Sequence, residues 1–366
     1  MQKISSFIKA EAVLIISFLL ALISSFAVLP DKEYISYIDT RTIALLFCLM
    51  AVVSGINSMG VFSFLAKKLL SKMRSVRAAG ASLIMLCFFS SMLITNDVAL
   101  ITLVPFSIVT LKLIKREELL IPLISLETVA ANLGSMATPF GNPQNLYLFS
   151  AFEMPALDFL SAVGPYSVLS LVILIIFTFT FPGDKIDFSE RSESGIKAVP
   201  LIFYLVLLVI SLLAILRFIP YQAAFFITLP GVAICDRKII SKVDYSLLLT
   251  FIFLFIFIGN LGRIEAVSGF LQSWVSGNET IVGIISSQVF SNVPAALLLS
   301  GFTQNAKALV TGVNLGGLGT LIASMASLIS FKFIAKEKVN TVKYILVFTL
   351  HNIIFLSANL VLWFFL

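Results

Sequence analysis

Charge, histidine and cysteine are the scarce residues of this chain. Of its 366 residues only 12% are Asp, Glu, Lys or Arg, one is His and three are Cys. Soluble domains carry about 25% charged residues, so the chain has too little polar surface to cover a water-soluble globule. A single histidine and three cysteines without CxxC spacing exclude a His/Cys zinc site and a disulfide framework. Cys48, Cys87 and Cys235 each lie inside an apolar run and read as packing residues. The net charge of +6 does not point to nucleic acid, because Lys and Arg gather in short loops between apolar runs, as membrane orientation signals do.

Hydrophobic residues make up 59% of the chain, 34 of them Phe, and mean hydropathy is +1.06. This is the composition of an all-α polytopic membrane protein. A span needs about 20 apolar residues, and the runs predict nine of them, at about 10–29, 42–57, 118–149, 161–181, 199–218, 219–235, 244–260, 305–332 and 343–365. Lys3, Lys9 and Ser25-Phe26-Ala27 give the first run some likeness to a signal peptide, but it is too long for one and reads as a span. Positive charge is densest at Lys67, Lys68, Lys72, Arg74 and Arg77, at Lys112, Lys115 and Arg116, at Arg237, Lys238 and Lys242, and at Lys332, Lys336, Lys338 and Lys343. By the positive-inside rule these segments and the N-terminus are cytoplasmic, and the membrane is the cell inner membrane.

Residues 78–111 therefore begin and end on one side, with Thr95-Asn96-Asp97 at their midpoint. Local sequence leaves two readings, a pair of full spans or a re-entrant hairpin whose tip stops inside the membrane. An internal repeat favours the second. SSMLITNDVALITLVPF at 90–106 aligns without a gap to SSQVFSNVPAALLLSGF at 286–302, placing Asn96 on Asn292 and Thr95 on Ser291. NLGSMATPFGNPQNLYLF at 132–149 aligns to NLGGLGTLIASMASLISF at 314–331, and the Asp39 segment resembles the Asp244 segment. The loop after the first copy is lysine-rich, whereas the loop after Asn260 carries only Arg263 against Glu265 and Glu279, so the copies are inverted. The expected organisation is an N-terminal repeat (1–183) with a cytoplasm-facing hairpin at about 78–111, a cytoplasmic linker (184–198), and a C-terminal repeat (199–366) with an outward-facing hairpin at about 280–303. Inverted repeats with interrupted helices are a signature of secondary transporters with a site near the bilayer midplane.

Irregular backbone at membrane depth is tolerated only where protein buries it or where it lines a watery cavity. The tips then present helix amides to an anion, and carbonyls with Asn, Thr or Ser oxygens to a hard cation such as sodium. Candidate substrate and ion ligands are Thr95, Asn96, Asp97, Thr138, Gly141, Asn142, Asn145, Ser291, Asn292, Asn314, Gly317 and Thr320, with sodium at Asn96 and Asn292. Asp97, whose repeat partner is Val293, is the first coupling candidate, since a lone intramembrane carboxylate must be protonated, paired or ion-bound. Glu127 reads equally as a buried structural acid or a coupling site. His351, in the last span and outside the repeat blocks, reads as a packing or interfacial residue before a proton relay.

At TNDVAL, TPFGNPQN and SNVPA the chain resembles the ion transporter superfamily, in its citrate-transporter-like and arsenite-permease-like branch of bacterial anion permeases. The resemblance implies a scaffold part, a moving part carrying both hairpins, elevator-like alternating access and frequently a homodimer. In sodium-coupled dicarboxylate members both tips read Ser-Asn-Thr; here they read Thr95-Asn96-Asp97 and Ser291-Asn292-Val293. The expected function is secondary transport of a small inorganic or organic anion, coupled to sodium or protons, with the lipid bilayer as the protein's surroundings, no nucleic-acid partner and no cofactor beyond the coupling ion. The alternatives are a sodium/proton antiporter or an arsenite-type efflux permease, and more remotely an intramembrane enzyme using Asp97, Glu127 and His351. That enzyme would lack a metal-ligand cluster and a nucleophile–base pair, so no catalytic residue is expected.

Overall fold

The computed structural model describes residues 11–186, 198–337 and 339–366; Lys3, Lys9, Lys338 and most of the predicted linker at 184–198 lie outside the described residues. The described residues form helices: α1 (Ala12–Ala27), α2 (Glu33–Tyr37), α3 (Thr40–Ser58), α4 (Val61–Leu70), α5 (Val76–Ser91), α6 (Asn96–Leu113), α7 (Leu120–Ser135), α8 (Pro143–Ala151), α9 (Ala156–Thr178), α10 (Ala198–Ile215), α11 (Tyr221–Cys235), α12 (Arg237–Ile240), α13 (Tyr245–Arg263), α14 (Glu265–Val275), α15 (Glu279–Phe290), α16 (Asn292–Ser300), α17 (Ala306–Leu315), α18 (Met325–Ile334) and α19 (Thr341–Phe365). The chain is an all-α polytopic membrane protein.

Among the described residues six helices are long and apolar enough to cross a membrane: α3, α6, α9, α10, α13 and α19. All but α6 fall on predicted spans. The other four predicted spans are the shorter α1 and α11 and two broken helices, because continuous helix stops at Ser135 and Leu315 and resumes at Pro143 and Met325. Pro143 begins α8, where the missing N–H costs nothing, and Asn142 caps it by accepting from Asn145 N at 3.0 Å. By length α6 could cross, yet its first residue is buried and Asn96 N–H donates to Gly141 O at 3.2 Å, so the hairpin ends inside the protein against the first break. The arms of the second hairpin, α15 and α16, have 12 and 9 residues and are too short to cross.

The helices fall into two groups. In the first, α1 packs on α13, and α10 and α11 pack on α3. In the second, hairpin α5/α6 packs on α7, hairpin α15/α16 packs on α17, and α9 and α19 complete the body. The two repeats interlock reciprocally: α18 packs on α6 of the first hairpin, and α8 packs on α16 of the second.

Repeat-related positions make the same contacts. Asp39 caps α3 through Thr42 N at 3.0 Å, and Asp244 caps α13 through Leu247 N at 2.9 Å, each starting a 19-residue helix. A Cβ on Gly134 would lie 2.6 Å from Ser91 Oγ, and one on Gly316 would lie 2.6 Å from Ser287 Oγ. Only glycine lets these hairpins approach the broken helices so closely.

Candidate functional site

Each hairpin turns through one strained residue. Thr95 (φ 62°, ψ 144°) and Ser291 (φ 71°, ψ 154°) occupy a region that essentially only glycine enters freely, and both are the aligned residue before the Asn. Behind each turn the Asn backbone N–H is tied to the neighbouring break. Asn96 N donates to Gly141 O at 3.2 Å, and Asn292 N donates to Ala323 O at 2.9 Å, aligned positions in both cases. A threonine hydroxyl then fastens each hairpin: Thr138 Oγ1 donates to Met92 O at 2.7 Å, and Thr320 Oγ1 to Gln288 O at 3.4 Å.

Between the tips lies an amide network that crosses from one repeat to the other. Asn96 Nδ2 donates to Asn132 Oδ1 at 3.0 Å, and Ser324 Oγ donates to the same oxygen at 3.1 Å. Asn142 Nδ2 donates to Asn314 Oδ1 at 3.3 Å, while Asn314 Nδ2 donates to Asn145 Oδ1 at 2.6 Å. Asn142 aligns with Ser324 and Asn132 with Asn314, so the bond is reciprocal. Asn132 also reaches Gly317 O at 3.4 Å, and Asn145 Nδ2 closes the first break on Met136 O and Thr138 O. Buried amides bound to one another in this way hold the two breaks together.

The predicted ligands therefore separate by position. Asn142, Asn145, Asn314 and Gly317 belong to the network, and Gly141 to the break, where a Cβ would meet Ser135 O at 2.1 Å. Thr138 and Thr320 fasten the hairpins; Thr320 is exposed and stands apart from the network. Asn292 is buried, and its side chain makes no hydrogen bond among the described residues.

Thr95 and Asp97 instead face a cavity of about 480 Å³, lined also by Ser54, Asn57, Ser58, Lys242 and Asp244. Asp97 Oδ1 is buried there without a hydrogen-bond partner among the described residues. A second cavity of about 240 Å³ lies at the other tip, lined by Ser291, Val293, Lys332 and again Asp244. From sequence, Lys242 counts only as a loop charge and Asp244 only as part of the repeat, and nothing marks out Asn57. Only the fold brings them to the tips.

Glu127 lies elsewhere, wholly buried in the second helix group. Ser107 Oγ donates to its Oε1 through a short contact, and its Oε2 has no partner among the described residues. His351 Nδ1 contacts Ser125 Oγ at 2.8 Å, and its ring packs in a T-shaped arrangement with Phe177. Asp97, Glu127 and His351 thus form no shared constellation, and no cluster of three metal-binding side chains occurs among the described residues.

Two hairpins meeting two broken helices, with charged cavities at the tips, define the class: a polytopic membrane transporter. Residues 4–329 match the profile of the citrate transporter (CitMHS) family, and the chain belongs to that family. It is 32% identical over 345 residues to an uncharacterized transporter of Methanocaldococcus jannaschii, covering 92% of this chain and 94% of that protein. It is 30% identical over 319 residues to the inner membrane protein YbiR of Escherichia coli, covering 85% and 84%. A transporter named arsB from Dictyostelium discoideum is 26% identical over 175 residues, covering 48% and 31%.

Proposed function

We propose that the protein is a secondary transporter of a small anion across the cell inner membrane, coupled to protons or sodium, with its N-terminus in the cytoplasm. The observation that carries this reading is the cavity at the first tip. There the unpartnered Asp97 shares one space with Lys242, Asp244 and the Thr95, Ser54 and Ser58 hydroxyls. Lys242 supplies charge to receive an anion, and Asp97 supplies a group that can hold a proton or cation. Asn292, with a free amide at the second tip, is the remaining candidate substrate or sodium ligand; the amide network around Asn96 has the structural task of holding the tips.

Alternating access by sliding is supported by an asymmetry between the two tips. The first tip faces the C-terminal half of α3, at Met50, Val53, Ser54, Asn57 and Ser58, whereas the second faces the start of α13, at Ser246, Leu247 and Thr250. Since α3 and α13 align end to end, exchanging the repeats' roles gives the opposite state. The second tip would then lie against Phe255, Ile258, Gly259, Gly262 and Arg263 of α13. That is about eleven residues further along, a stroke of about 16 Å at the helical rise. The lysine-rich ends face the cytoplasm, which makes the present arrangement the inward-facing one.

Counterflow of radiolabelled oxyanions and di- and tricarboxylates in proteoliposomes tests the reading, run beside a pH-gradient assay with sodium, potassium and lithium. Anion exchange is expected. Cation-driven dissipation of the gradient without an anion would instead establish a cation/proton antiporter, a reading favoured by the two carboxylates Asp97 and Asp244 on one cavity.

A further inference from the structure

The second-tip cavity does not end at its polar chamber. It continues into an apolar cleft of about 280 Å³, with which it shares Val13, Ser291, Pro294 and Met325. The cleft runs between α1 and the α15/α18 side of the second hairpin, walled by Ile16, Leu20, Leu254, Phe290 and Ile322. Ile16, Val289 and Ile322 are more than half exposed, so the cleft opens sideways toward the bilayer. α1 packs chiefly on α13, which leaves its other flank unfilled.

The polar chamber carries Lys332 on one element and Glu11 and Asp244 on two others. None of these three forms an ion pair among the described residues. One cation and two carboxylates around a chamber, with an apolar slot leading away, match a zwitterion with a tail: a phosphate for Lys332, a primary ammonium for the carboxylates, and an acyl chain for the slot. Unlike the first tip, where Asp97 is proposed to carry the coupling proton or cation, this chamber would leave both carboxylates uncompensated against a lone anionic head. A quaternary ammonium could not donate hydrogen bonds to them.

We propose that this slot seats one bilayer phospholipid with a primary-ammonium headgroup, a phosphatidylethanolamine, its phosphate at Lys332, its ammonium between Glu11 and Asp244, and one chain along α1. The lipid then wedges α1 and α13 against α15 and α18, the surfaces that must slide in the proposed transport cycle. Binding itself does not rest on that cycle; only the leaflet and the effect on sliding do.

Native mass spectrometry of the delipidated full chain, titrated with dioleoyl phosphatidylethanolamine, phosphatidylcholine and phosphatidylglycerol, tests the seat without any transport assay. One phosphatidylethanolamine should be retained in preference to each of the others by about tenfold, the size of one charge-assisted hydrogen bond. Lys332→Glu and the slot-filling Leu20→Trp should each lower retention by a similar factor, and glycerophosphoethanolamine without chains should not compete. Equal retention of the three lipids by the unaltered protein would overturn the proposal, as would retention unchanged in both variants or full competition by the chainless headgroup. The lipid comparison requires no variant to fold.

Discussion

At the scale of the residue, the same amide does different work in the two repeats. Asn96 is held by Asn132, whereas the Asn292 side chain has no hydrogen-bond partner among the described residues. Asn132→Ala should leave the Asn96 amide and the Ser324 hydroxyl unpaired, at a cost of about 1–3 kcal/mol. The check is a lowered unfolding temperature of the purified protein. Asn292→Ala should leave stability near wild type but abolish transport in a well-inserted protein, and normal transport would remove Asn292 from the site. Asp97 calls for a different pair of variants. Asp97→Asn keeps shape and hydrogen bonding but cannot titrate, so substrate binding should persist while the pH or cation dependence of uptake is lost; Asp97→Ala should lose more. An unchanged pH and sodium response in Asp97→Asn would shift coupling to Glu127, a buried carboxylate whose Oε2 has no partner among the described residues.

At the scale of the element, each hairpin is a strained turn pinned by a backbone hydrogen bond and a close glycine contact. Glycine at Thr95 or Ser291 relieves a conformation that costs about 1–3 kcal/mol, offset in part by glycine's greater freedom in the unfolded chain. Thr95→Gly and Ser291→Gly should each raise stability by about 1 kcal/mol, read by thermal unfolding. Gly316→Ala should do the reverse by about 1–3 kcal/mol, because its Cβ has no room beside Ser287. In the loop before α2, Asp31 accepts a hydrogen bond at 2.7 Å from Arg263 at the end of α13, which holds its carboxyl below the usual range. That tie is present at neutral pH and is lost as pH falls through the lowered value. Acid should therefore speed proteolysis of the loop before α2, and Arg263→Ala should do so at neutral pH.

At the scale of the whole molecule, the exchange of repeat roles gives a distance test. With Cys235→Ser removing the exposed native thiol, a Val293→Cys/Leu247→Cys pair should cross-link in the present state. A Val293→Cys/Ile258→Cys pair should cross-link only in the opposite one. Each cross-link should arrest uptake until reduced. Efficient formation of both pairs in one trapped state would refute a stroke of about 16 Å.

Much of this architecture lay in the order of residue types. Apolar runs marked where the apolar helices lie, and the recurrence of Asn96 as Asn292 and Asn132 as Asn314 related the two halves, because a membrane forces backbone hydrogen bonds inward and so makes every interruption costly and visible. What those residues touch was not legible. Thr138 and Thr320 have the composition of ligands, yet they fasten carbonyls of Met92 and Gln288 that stand 46 and 32 residues away along the chain. Lys242 and Asp244 have the composition of a loop and a cap, yet they line the cavity at Asp97. Sequence by itself determined membrane class, spans and repeats, since these follow from local hydropathy and spacing. The tertiary structure decided which polar groups satisfy one another and which are left facing a cavity, because that depends on how α3 and α13 are packed beside the hairpins.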